Sequence, residues 1–570
     1  MILTETKDVL ALANRLRETK HFVSFDTETD GVEPFHGNKI CGVPVRICGE
    51  STSYYVPFRH KRGKNADEKL IKPLLSFLED ETKSVLMWNA PFDVHMSRNE
   101  GVDTKCKIID VQLGAHLRNE NETGEGKFFA LKPLADKYVD PNASAMEKEL
   151  EMKIGGKSNI HLADPRDVDA YACQDTDLTW EMFLNVYDDL KEQGLVRIFD
   201  ELSDYVAMTI DMEREGVMID KDEVLKARVA LGPAHAKYLE ETRGLAGDLS
   251  FNPNSPPQCR KLFGLKDGES CDKDYLESLG TDLAVHVMRC RQYTKIDGSF
   301  YEPFLKYADV NDRIHPNIKL HGTVSGRPSC THPNLQALPR EGDFFNVRSM
   351  VVAPEGWSII SHDWSQIELR LLAHYTKDEN LMKAFFENID IHQVTADLIG
   401  IGRDPSKQLN FGAAYGLGVP GFAKKSGLPE KQARVMLNKF HSKYPTIRRL
   451  ARAAEDRARS QGYIGMWTGR RKRYVESWEF RKAMSGLIQG GVAEIMRVSM
   501  IKLYHRFKDN PNVRFFLQVH DDILAYARDE FVPEIARAIR EIMTDFDFRV
   551  PIEAETKVGK SWGTLKKVSY

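Results

Sequence analysis

The sequence predicts a multidomain α/β protein, and three observations support this prediction. Its 570 residues suffice for about four domains or subdomains. In residues 1–190, short apolar stretches at 22–25, 43–48 and 54–58 alternate with helical segments. The chain then changes to a mostly helical pattern and ends in a block that contains a β-rich hairpin. We therefore expect an α/β block, a helical block and a mixed C-terminal block, in that order.

The remaining elements follow from local patterns. Polar passages at 118–127 and 141–165 predict long loops. Apolar periodicity predicts a helix over 196–212 and mostly helical structure over 221–310. A further helical stretch covers about 379–460, and it separates two acidic segments of the C-terminal block.

The composition is that of an ordinary soluble globular protein, with 29% charged and 42% hydrophobic residues. The net charge of −4 predicts no general affinity for nucleic acids, so such binding must come from locally segregated basic residues. The eight cysteines form no C-x-x-C pair, which argues against a zinc ribbon or a disulfide framework and suits a reducing compartment. No apolar run reaches transmembrane length. We therefore expect a soluble cytoplasmic protein with no membrane partner.

Four acids and a tyrosine of the first block follow strand and helix patterns. Asp26 and Glu28 alternate at the end of a strand, which places them on one face. Asp93 begins a helical segment, and Tyr171 and Asp175 lie four residues apart on one helical face. Each acid alone is more often a solvated surface group than a ligand, and Asp175 is also explained as a hydrogen-bond acceptor or cap. Together they are candidates for a metal site.

Two further acidic segments lie in the C-terminal block. Asp521 and Asp522 stand at the tip of the hairpin, between apolar runs at 513–517 and 523–526. A solvated turn explains this pair equally well. Asp363 ends another apolar run just before a helical pattern. If the two segments meet, their carboxylates form an oxygen-rich site suited to two Mg²⁺ ions and to phosphoryl transfer.

Glu368 has two interpretations. With Ser365 it forms an S-x-x-E capping box, which ties down a helix start. Alternatively it faces a substrate, one turn from Asp363.

The segment 403–416 also has two interpretations. Asp404 followed by a proline predicts a helix N-cap and first position. Lys407, Phe411 and Tyr415 then recur every four residues, with Arg403 just before them. Two cations followed by aromatics on one face suit a triphosphate and its base or sugar. An amphipathic helix with Phe411 and Tyr415 in the core explains the same pattern.

The C-terminal block resembles the family A DNA polymerases. Their motifs A (D-Y-S-Q-I-E-L-R), B (R-x-x-x-K-x-x-x-F-G-x-x-Y-G) and C (Q-V-H-D-E) are similar to residues 363–370, 403–416 and 518–522. Residues 323–336 resemble the family's T-G-R-L-S-S…P-N-L-Q segment, and 212–220 resemble the start of its thumb. The first block resembles a proofreading 3′→5′ exonuclease domain with the order D-x-E, N-x-x-x-[FY]-D, Y-x-x-x-D. The resemblance covers nearly the whole chain.

The resemblance implies an RNase H-like exonuclease domain over 1–190 and a right-hand polymerase domain over 191–570. Within the latter, we expect the thumb at about 205–310, the palm at about 311–375 and 475–570, and the fingers at about 376–474.

In the exonuclease domain, the resemblance implies that Asp26, Glu28, Asp93 and Asp175 are metal ligands and that Tyr171 orients the attacking water. In the polymerase domain, Asp363 and Asp521 would hold two Mg²⁺ ions, for which Mn²⁺ is a substitute. The incoming triphosphate would bind a second set of side chains: Arg403, Lys407 and His392. Lys407 would also protonate the leaving pyrophosphate.

The resemblance assigns further contacts around the nascent base pair. Phe411 would pack on the nucleotide, Glu368 would exclude a ribose 2′-hydroxyl, and Tyr415 would guard the template side. The primer–template would be contacted by a last set: Arg327, Arg481, Gln489 and His520. Such contacts reach minor-groove acceptors common to all base pairs, which suits binding without sequence preference.

Basic clusters predict a track for DNA phosphates. They are the run from Arg470 to Arg473 and the pair Arg291 and Lys295 in the expected thumb. A solvated charged face is the alternative for each cluster. In the context of the resemblance we favour DNA contact.

Four positions depart from the family pattern: Trp364 for tyrosine, Asp522 for glutamate, Ser485 for asparagine and Cys330 for serine. None removes an expected metal ligand. The Asp522 and Ser485 departures put a supporting acid and a template-side contact in doubt.

The leading hypothesis is a template-directed DNA polymerase with its own proofreading exonuclease, acting on primer–template DNA and dNTPs. The alternatives are a nuclease that keeps the large block as a DNA clamp, and a non-catalytic DNA-binding scaffold. The first block begins by residue 22, so we expect no 5′-nuclease domain. By resemblance we expect a bacteriophage enzyme with helicase, primase or single-strand-binding partners.

Overall fold

The structure is a computed structural model that describes residues 1–124, 127–339, 346–426 and 428–570. It confirms the predicted α/β multidomain organisation. All eight cysteines are buried free thiols. Within the described ranges, no helix is both long enough and apolar enough to cross a membrane.

The N-terminal domain is built on a six-stranded sheet with the order β2-β3-β1-β5-β6 and β4 paired to β3. The central strand β1 runs antiparallel to β3 and parallel to β5, which in turn is parallel to β6. The strands are β1 (Val23–Phe25), β2 (Glu28–Thr29), β3 (Ile40–Ile47), β4 (Ser53–Pro57), β5 (Ser84–Met87) and β6 (Lys107–Asp110).

The helices of this domain pack around the sheet. They are α1 (Thr6–Glu18), α2 (Ile71–Leu75), α3 (Ala90–Asn99), α4 (Val111–Arg118), α5 (Leu131–Tyr138), α6 (Ala145–Ile154) and α7 (Pro165–Glu192). Between α4 and α5 lie two short strands, β7 (Thr123–Gly124) and β8 (Lys127–Phe128).

The expected loop at 141–165 is wrong, because it contains α6 and a 3₁₀ turn, Lys157–Leu162. Met146, Leu150 and Ile154 recur every four residues on α6 and pack in a small apolar cluster with Tyr171. The helix was not predicted because charged residues separate the few apolar residues of this stripe. The other expected loop, 118–127, is non-helical beyond Arg118 in its described part.

Helix α8 (Val196–Glu215) joins the N-terminal domain to the rest of the chain. It packs on α3, α4 and β6 on one side and on the C-terminal sheet on the other. One continuous apolar core therefore runs from the first sheet to the second. After the short strand β9 (Val217–Met218) comes the helical block: α9 (Lys221–Ala246), α10 (Pro256–Phe263), α11 (Lys273–Leu279), α12 (Asp282–Ile296) and α13 (Glu302–Tyr307).

The C-terminal sheet has the order β16-β17-β13-β18-β19 and is antiparallel throughout. Its members are β13 (Trp357–Trp364), β16 (Val513–Val519), β17 (Asp522–Arg528), β18 (Ala554–Gly559) and β19 (Lys566–Val568). Helix α22 (Val532–Thr544) packs on β13, β17 and β18 of this sheet, and α21 (Ala483–Phe507) packs on α22. Three small strands precede it: β10 (Arg313–Ile314), β11 (Asn317–Lys319) and β12 (Ser329–Thr331).

Between β13 and α21 the predicted helical stretch is confirmed. It comprises α14 (Ile367–Thr376), α15 (Glu379–Phe386), α16 (Ile391–Ile399), α17 (Arg403–Ala414), α18 (Val419–Ser426), α19 (Glu430–Lys443) and α20 (Pro445–Gln461), followed by the hairpin β14 (Tyr463–Gly465) and β15 (Arg471–Arg473). The expected N-cap at Asp404 is wrong, since α17 begins at Arg403. The proline at 405 then lies in the first turn, where it costs no helical hydrogen bond.

Candidate active sites

The N-terminal sheet and α7 bring three of the predicted acids together. Asp26 follows β1, Glu28 lies on β2 and Asp175 lies on α7. Ligand oxygens of these three side chains lie within 4.8 Å of one another. Asp93, near the start of α3, is buried beside them and accepts a hydrogen bond from the Thr27 hydroxyl at 2.6 Å. Residues from separate motifs of the sequence therefore lie together in one cluster.

The carboxyl groups of this cluster disfavour one another's ionisation. Burial, reinforced by the neighbouring Asp175, raises the pKa of Asp26 to about 7. Burial and Asp26 also raise the pKa values of Glu28 and Asp93 well above their ordinary range. Without a cation, the cluster therefore holds protons at neutral pH.

The donor set fits hard divalent cations. Oxygen ligands from carboxylates are the ligands that Mg²⁺ and Mn²⁺ prefer. Oε1 of Glu28 is buried and has no hydrogen-bond partner among the described residues. A buried acceptor without a donor is costly unless a ligand satisfies it.

Two lysines at this cluster were missed by the sequence reasoning. Lys132, on α5, is 4% exposed, forms an ion pair with Asp175 and donates to Oε1 of Gln174 at 2.8 Å. Its ammonium lies 5.0 Å from the centre of the Tyr171 ring, and that of Lys157 lies 5.3 Å from it. No motif marks these lysines, because their approach to Asp175 depends on how α5 and the 3₁₀ turn pack on α7.

The C-terminal sheet brings the other acids together. Asp363 is paired in register with Asp522 across β13 and β17. The backbone N–H of Trp364 donates to the Asp521 carbonyl at 3.3 Å, so the hairpin tip lies against the end of β13. The Ser361 hydroxyl donates to Asp522 at 2.8 Å. Burial, with a contribution from Asp521, raises the pKa of Asp522 to about 7.

The capping-box interpretation of Glu368 is wrong. The N-cap of α14 is Gln366, in the left-handed region at φ 53°, and no side chain caps the helix. The Glu368 carboxylate instead accepts a hydrogen bond from Arg327 Nη2 at 2.8 Å and another from the Tyr415 hydroxyl. Tyr415 also contacts the Gln489 side chain, so four predicted site residues form one connected group.

The predicted triphosphate-binding residues lie on α16 and α17. Arg403 is exposed and pairs with Asp390 at 2.8 Å, while Lys407 is exposed one turn further along. His392 is buried, and its Nδ1 lies 2.9 Å from the Asn410 side-chain amide. The Phe411 side chain lies outside the described residues.

The predicted DNA-contacting residues differ in their surroundings. Arg481, Lys295 and the hairpin-tip residue His520 are exposed. Arg291 is partly buried and donates to the backbone carbonyls of Pro253 at 2.8 Å and of Cys271 at 2.6 Å. Its guanidinium therefore links two backbone segments of the helical block. The contact of Arg291 with DNA stays a prediction.

The basic run from Arg470 to Arg473 does not form an open phosphate track. Arg473 Nη1 lies 2.8 Å and Lys472 Nζ 3.3 Å from the buried carboxylate of Glu120, in the N-terminal domain. Arg471 donates to the Gln193 carbonyl at 2.8 Å, and Arg470 pairs with the buried Glu494 at 3.4 Å. The charges of this run are therefore paired within the protein, and its favoured DNA contact stays a prediction.

The residues that depart from the family pattern differ in their surroundings. The Trp364 indole is buried and donates to the Met543 carbonyl at 2.7 Å, so it belongs to the core behind the acids. Cys330 is buried and lies 3.4 Å from the Pro333 carbonyl. Ser485 is partly exposed on the first turn of α21.

Comparisons with known proteins agree with this geometry. Residues 221–564 match the model of DNA polymerase family A, and residues 1–194 match that of a 3′–5′ exonuclease family. DNA polymerase I of Borreliella burgdorferi is 27% identical over 97% of this chain, and DNA polymerase I of Chloroflexus aurantiacus is 28% identical over 100% of this chain. The chain spans 63% and 64% of the length of these two relatives.

A solved structure shares the fold. The polymerase domain of Pol1 from M. smegmatis, in complex with DNA primer-template and dNTP, superposes with a TM-score of 0.84 at 22% identity, covering 99% of each chain. The limits of thumb, palm and fingers stay predictions. With the family model spanning 344 of 570 residues (221 to 564), the chain belongs to DNA polymerase family A and carries a 3′–5′ exonuclease domain ahead of its polymerase domain.

Proposed function

We propose that the protein extends a DNA primer on its template from dNTPs and removes mismatched primer ends with its 3′→5′ exonuclease. Family membership supports the activities, and one observation carries the polymerase assignment in this chain. It is the register pair of Asp363 and Asp522, with Asp521 at the adjoining hairpin tip. Two acidic segments about 160 residues apart in sequence end at the same edge of one sheet.

Both sites suit catalysis with two divalent ions, Mg²⁺ in the first instance and Mn²⁺ as a substitute. Asp363 and Asp521 would hold them in the polymerase site, and Asp26, Glu28, Asp93 and Asp175 in the exonuclease site. When bound, such ions activate the attacking oxygen and stabilise the leaving one.

The protein's own groups supply binding and orientation in the polymerase site. Arg403 and Lys407 expose two positive charges on one side of α17, where they would pair with the triphosphate. Lys407 is also the proposed proton donor to pyrophosphate. Glu368 is fixed by Arg327 and Tyr415, and a fixed carboxylate is suited to excluding a ribose 2′-hydroxyl.

In the exonuclease site, Tyr171 is the proposed group that orients water. Its ring lies beside both ammonium groups, and burial together with Asp175 raises the pKa of its hydroxyl well above its ordinary range. The hydroxyl therefore stays protonated and can donate a hydrogen bond.

The test uses a 5′-labelled primer with a 3′ mismatch on its template, in Mg²⁺, with and without dNTPs. The wild-type protein should shorten the primer without dNTPs and extend it fully with them. Asp363→Asn should abolish extension and keep shortening, whereas Asp26→Asn should abolish shortening and still extend a fully matched primer. The control is Asp529→Asn, because Asp529 lies on the same sheet's margin and pairs with Lys560.

Shortening by the wild-type protein under both conditions would refute the polymerase assignment and favour a nuclease with a DNA clamp. Loss of both activities in Asp363→Asn alone would show that the two acidic clusters do not act as separate sites. The bacteriophage origin and the helicase, primase or single-strand-binding partners stay predictions.

A further inference from the structure

A buried histidine of the exonuclease domain contacts the polymerase domain through both ring nitrogens. His116, on α4, is 2% exposed. Its Nε2 lies 3.0 Å from the Thr323 carbonyl oxygen, and its Nδ1 lies 3.2 Å from Nη2 of Arg470. These partners come from two different segments of the polymerase domain. The histidine is therefore a junction between three parts of the chain.

The two partners specify one protonation state of the ring. A carbonyl oxygen only accepts, so Nε2 must carry the hydrogen, and a guanidinium only donates, so Nδ1 must accept. Burial, together with the charge of Arg470, holds the pKa of His116 well below its ordinary value, which agrees with a neutral ring. The side chain thus acts as a donor on one side and an acceptor on the other.

The junction lies directly behind a turn of the polymerase domain. The Thr323 hydroxyl donates to the Arg327 carbonyl at 2.7 Å, and the Gly326 N–H donates to the Thr323 carbonyl at 3.2 Å. Gly326 has φ +81°, and a Cβ there would lie 2.8 Å from the guanidinium carbon of Arg470. Arg470 therefore packs flat against the turn, and a side chain at 326 would displace it.

Arg470 is itself held by a buried carboxylate, that of Glu494. Its guanidinium lies 3.4 Å from Glu494, which is fully buried and accepts a further hydrogen bond from the Thr468 hydroxyl at 2.6 Å. Arg497 pairs with the same carboxylate at 2.8 Å. A satisfied buried network of this kind is rigid.

The turn ends at Arg327, which contacts a residue of the proposed nucleotide site. Arg327 donates to Glu368 at 2.8 Å, and Glu368 also accepts from Tyr415. A hydrogen-bonded path therefore leads from the exonuclease domain to the carboxylate proposed to exclude ribonucleotides.

We propose that His116 is a positioning residue for the polymerase site, which fixes Arg327 against Glu368 through the Thr323 turn and Arg470. The inference rests on the proposed function. It means that docking of the exonuclease domain tunes sugar selection at the polymerase site without any contact between His116 and substrate. Loss of the junction frees Arg327 to move, so Glu368 loses one of its two fixed partners.

The experiment measures single-nucleotide insertion with dNTP and with rNTP, in an Asp26→Asn background that silences the exonuclease. His116→Phe keeps a planar ring but removes both hydrogen bonds. Coupling between such sites is typically about 0.5–2 kcal/mol, so we expect the dNTP-to-rNTP ratio of kcat/KM to fall about 2- to 30-fold. His116→Gln keeps a donor and an acceptor, and it should restore much of the ratio.

The matched control is His60→Phe, because His60 is a buried histidine of the same domain whose ring bonds to Tyr55 and Ala163, both also in that domain. It should leave the ratio at the wild-type value. Thr323→Val removes the hydroxyl that donates to Arg327 and keeps the side-chain shape, and it provides a second test if His116→Phe folds poorly. It should lower the ratio in the same direction.

An unchanged ratio in both His116→Phe and Thr323→Val would overturn the inference, as would an equal fall in His60→Phe. Failure of the proposed function gives a different result, since the wild-type protein would then insert neither dNTP nor rNTP.

Discussion

The Lys132 ammonium competes with a bound cation in the exonuclease site, because it pairs with Asp175, one of the proposed metal ligands. It is buried, forms an ion pair with Asp175 and lies beside Tyr171. A divalent cation held by Asp175 must share that carboxylate with the ammonium or displace it. We therefore predict that Lys132→Met, which keeps the length of the side chain without its charge, strengthens metal binding.

The magnitude follows from the ion pair. Two unit charges about 4 Å apart at an effective dielectric of about 20 interact by about 4 kcal/mol, before the cost of desolvation. A hydrogen bond to a charged group is worth about 1.5–3 kcal/mol net. Removal of the competing ammonium should therefore raise the affinity about 10- to 100-fold.

The assay is a titration with Mn²⁺, in which free Mn²⁺ is followed by electron paramagnetic resonance without DNA. Asp363→Asn and Asp521→Asn in all samples remove the expected polymerase-site ligands, so the remaining tight binding reports the exonuclease cluster. Lys137→Met is the matched control, because Lys137 lies on the same helix and pairs with Glu122 outside the cluster. Unchanged or weaker binding by Lys132→Met would refute the competition between ammonium and cation.

Three further predictions concern other parts of the protein. Asp522→Asn should stabilise the metal-free protein by about 1–2 kcal/mol at pH 8, because an acid with a raised pKa lowers the free energy of unfolding as pH rises from about 4 to 7. Urea denaturation in EDTA measures this gain, and an equal gain at pH 4 would contradict the prediction. Glu120→Gln should destabilise the folded protein by about 2–4 kcal/mol, since Arg473 loses its buried anion; calorimetry should show a lower melting temperature, and an unchanged one would contradict the pairing. Lys407→Ala should lower kcat for insertion more than it lowers binding of primer–template, and rapid-quench kinetics with a DNA-binding titration separates the two effects.

The exonuclease cluster shows how much local patterns can predict. Alternation along one strand placed Asp26 and Glu28 together, and a four-residue spacing placed Tyr171 and Asp175 on one helical face. Tyr171 and Asp175 share helix α7, and Asp26 and Glu28 are only two residues apart although β1 ends before Asp26 and Glu28 lies on β2, so short-range patterns reach both pairs. The approach of Lys132 to Asp175 depends on packing between elements, and a sequence without its fold does not specify such a distance.

Glu368 shows why a correct local rule can give a wrong result. The S-x-x-E pattern is an ordinary helix start, but the helix here begins later, after a left-handed residue, Gln366. The Glu368 carboxylate therefore does not bond to the helix N-terminus and instead accepts hydrogen bonds from Arg327 and Tyr415. Local rules fail where tertiary contacts outweigh the local preference, as the contacts with Arg327 and Tyr415 do here.

The basic run from Arg470 to Arg473 shows a different limit of sequence patterns, because its ion-pair partners come from distant segments. A run of basic residues in a sequence shows how much positive charge is present, but it does not show which acidic groups pair with it. Here the pairing acids are Glu120 and Glu494. Charges that are paired and mostly buried release few counterions when DNA binds. The salt dependence of DNA binding must then come from cations that remain exposed, such as Arg481 and Lys295. Neutralising Arg473 should therefore weaken domain docking while leaving the salt slope of DNA affinity nearly unchanged, whereas neutralising Arg481 should lower that slope by about 1.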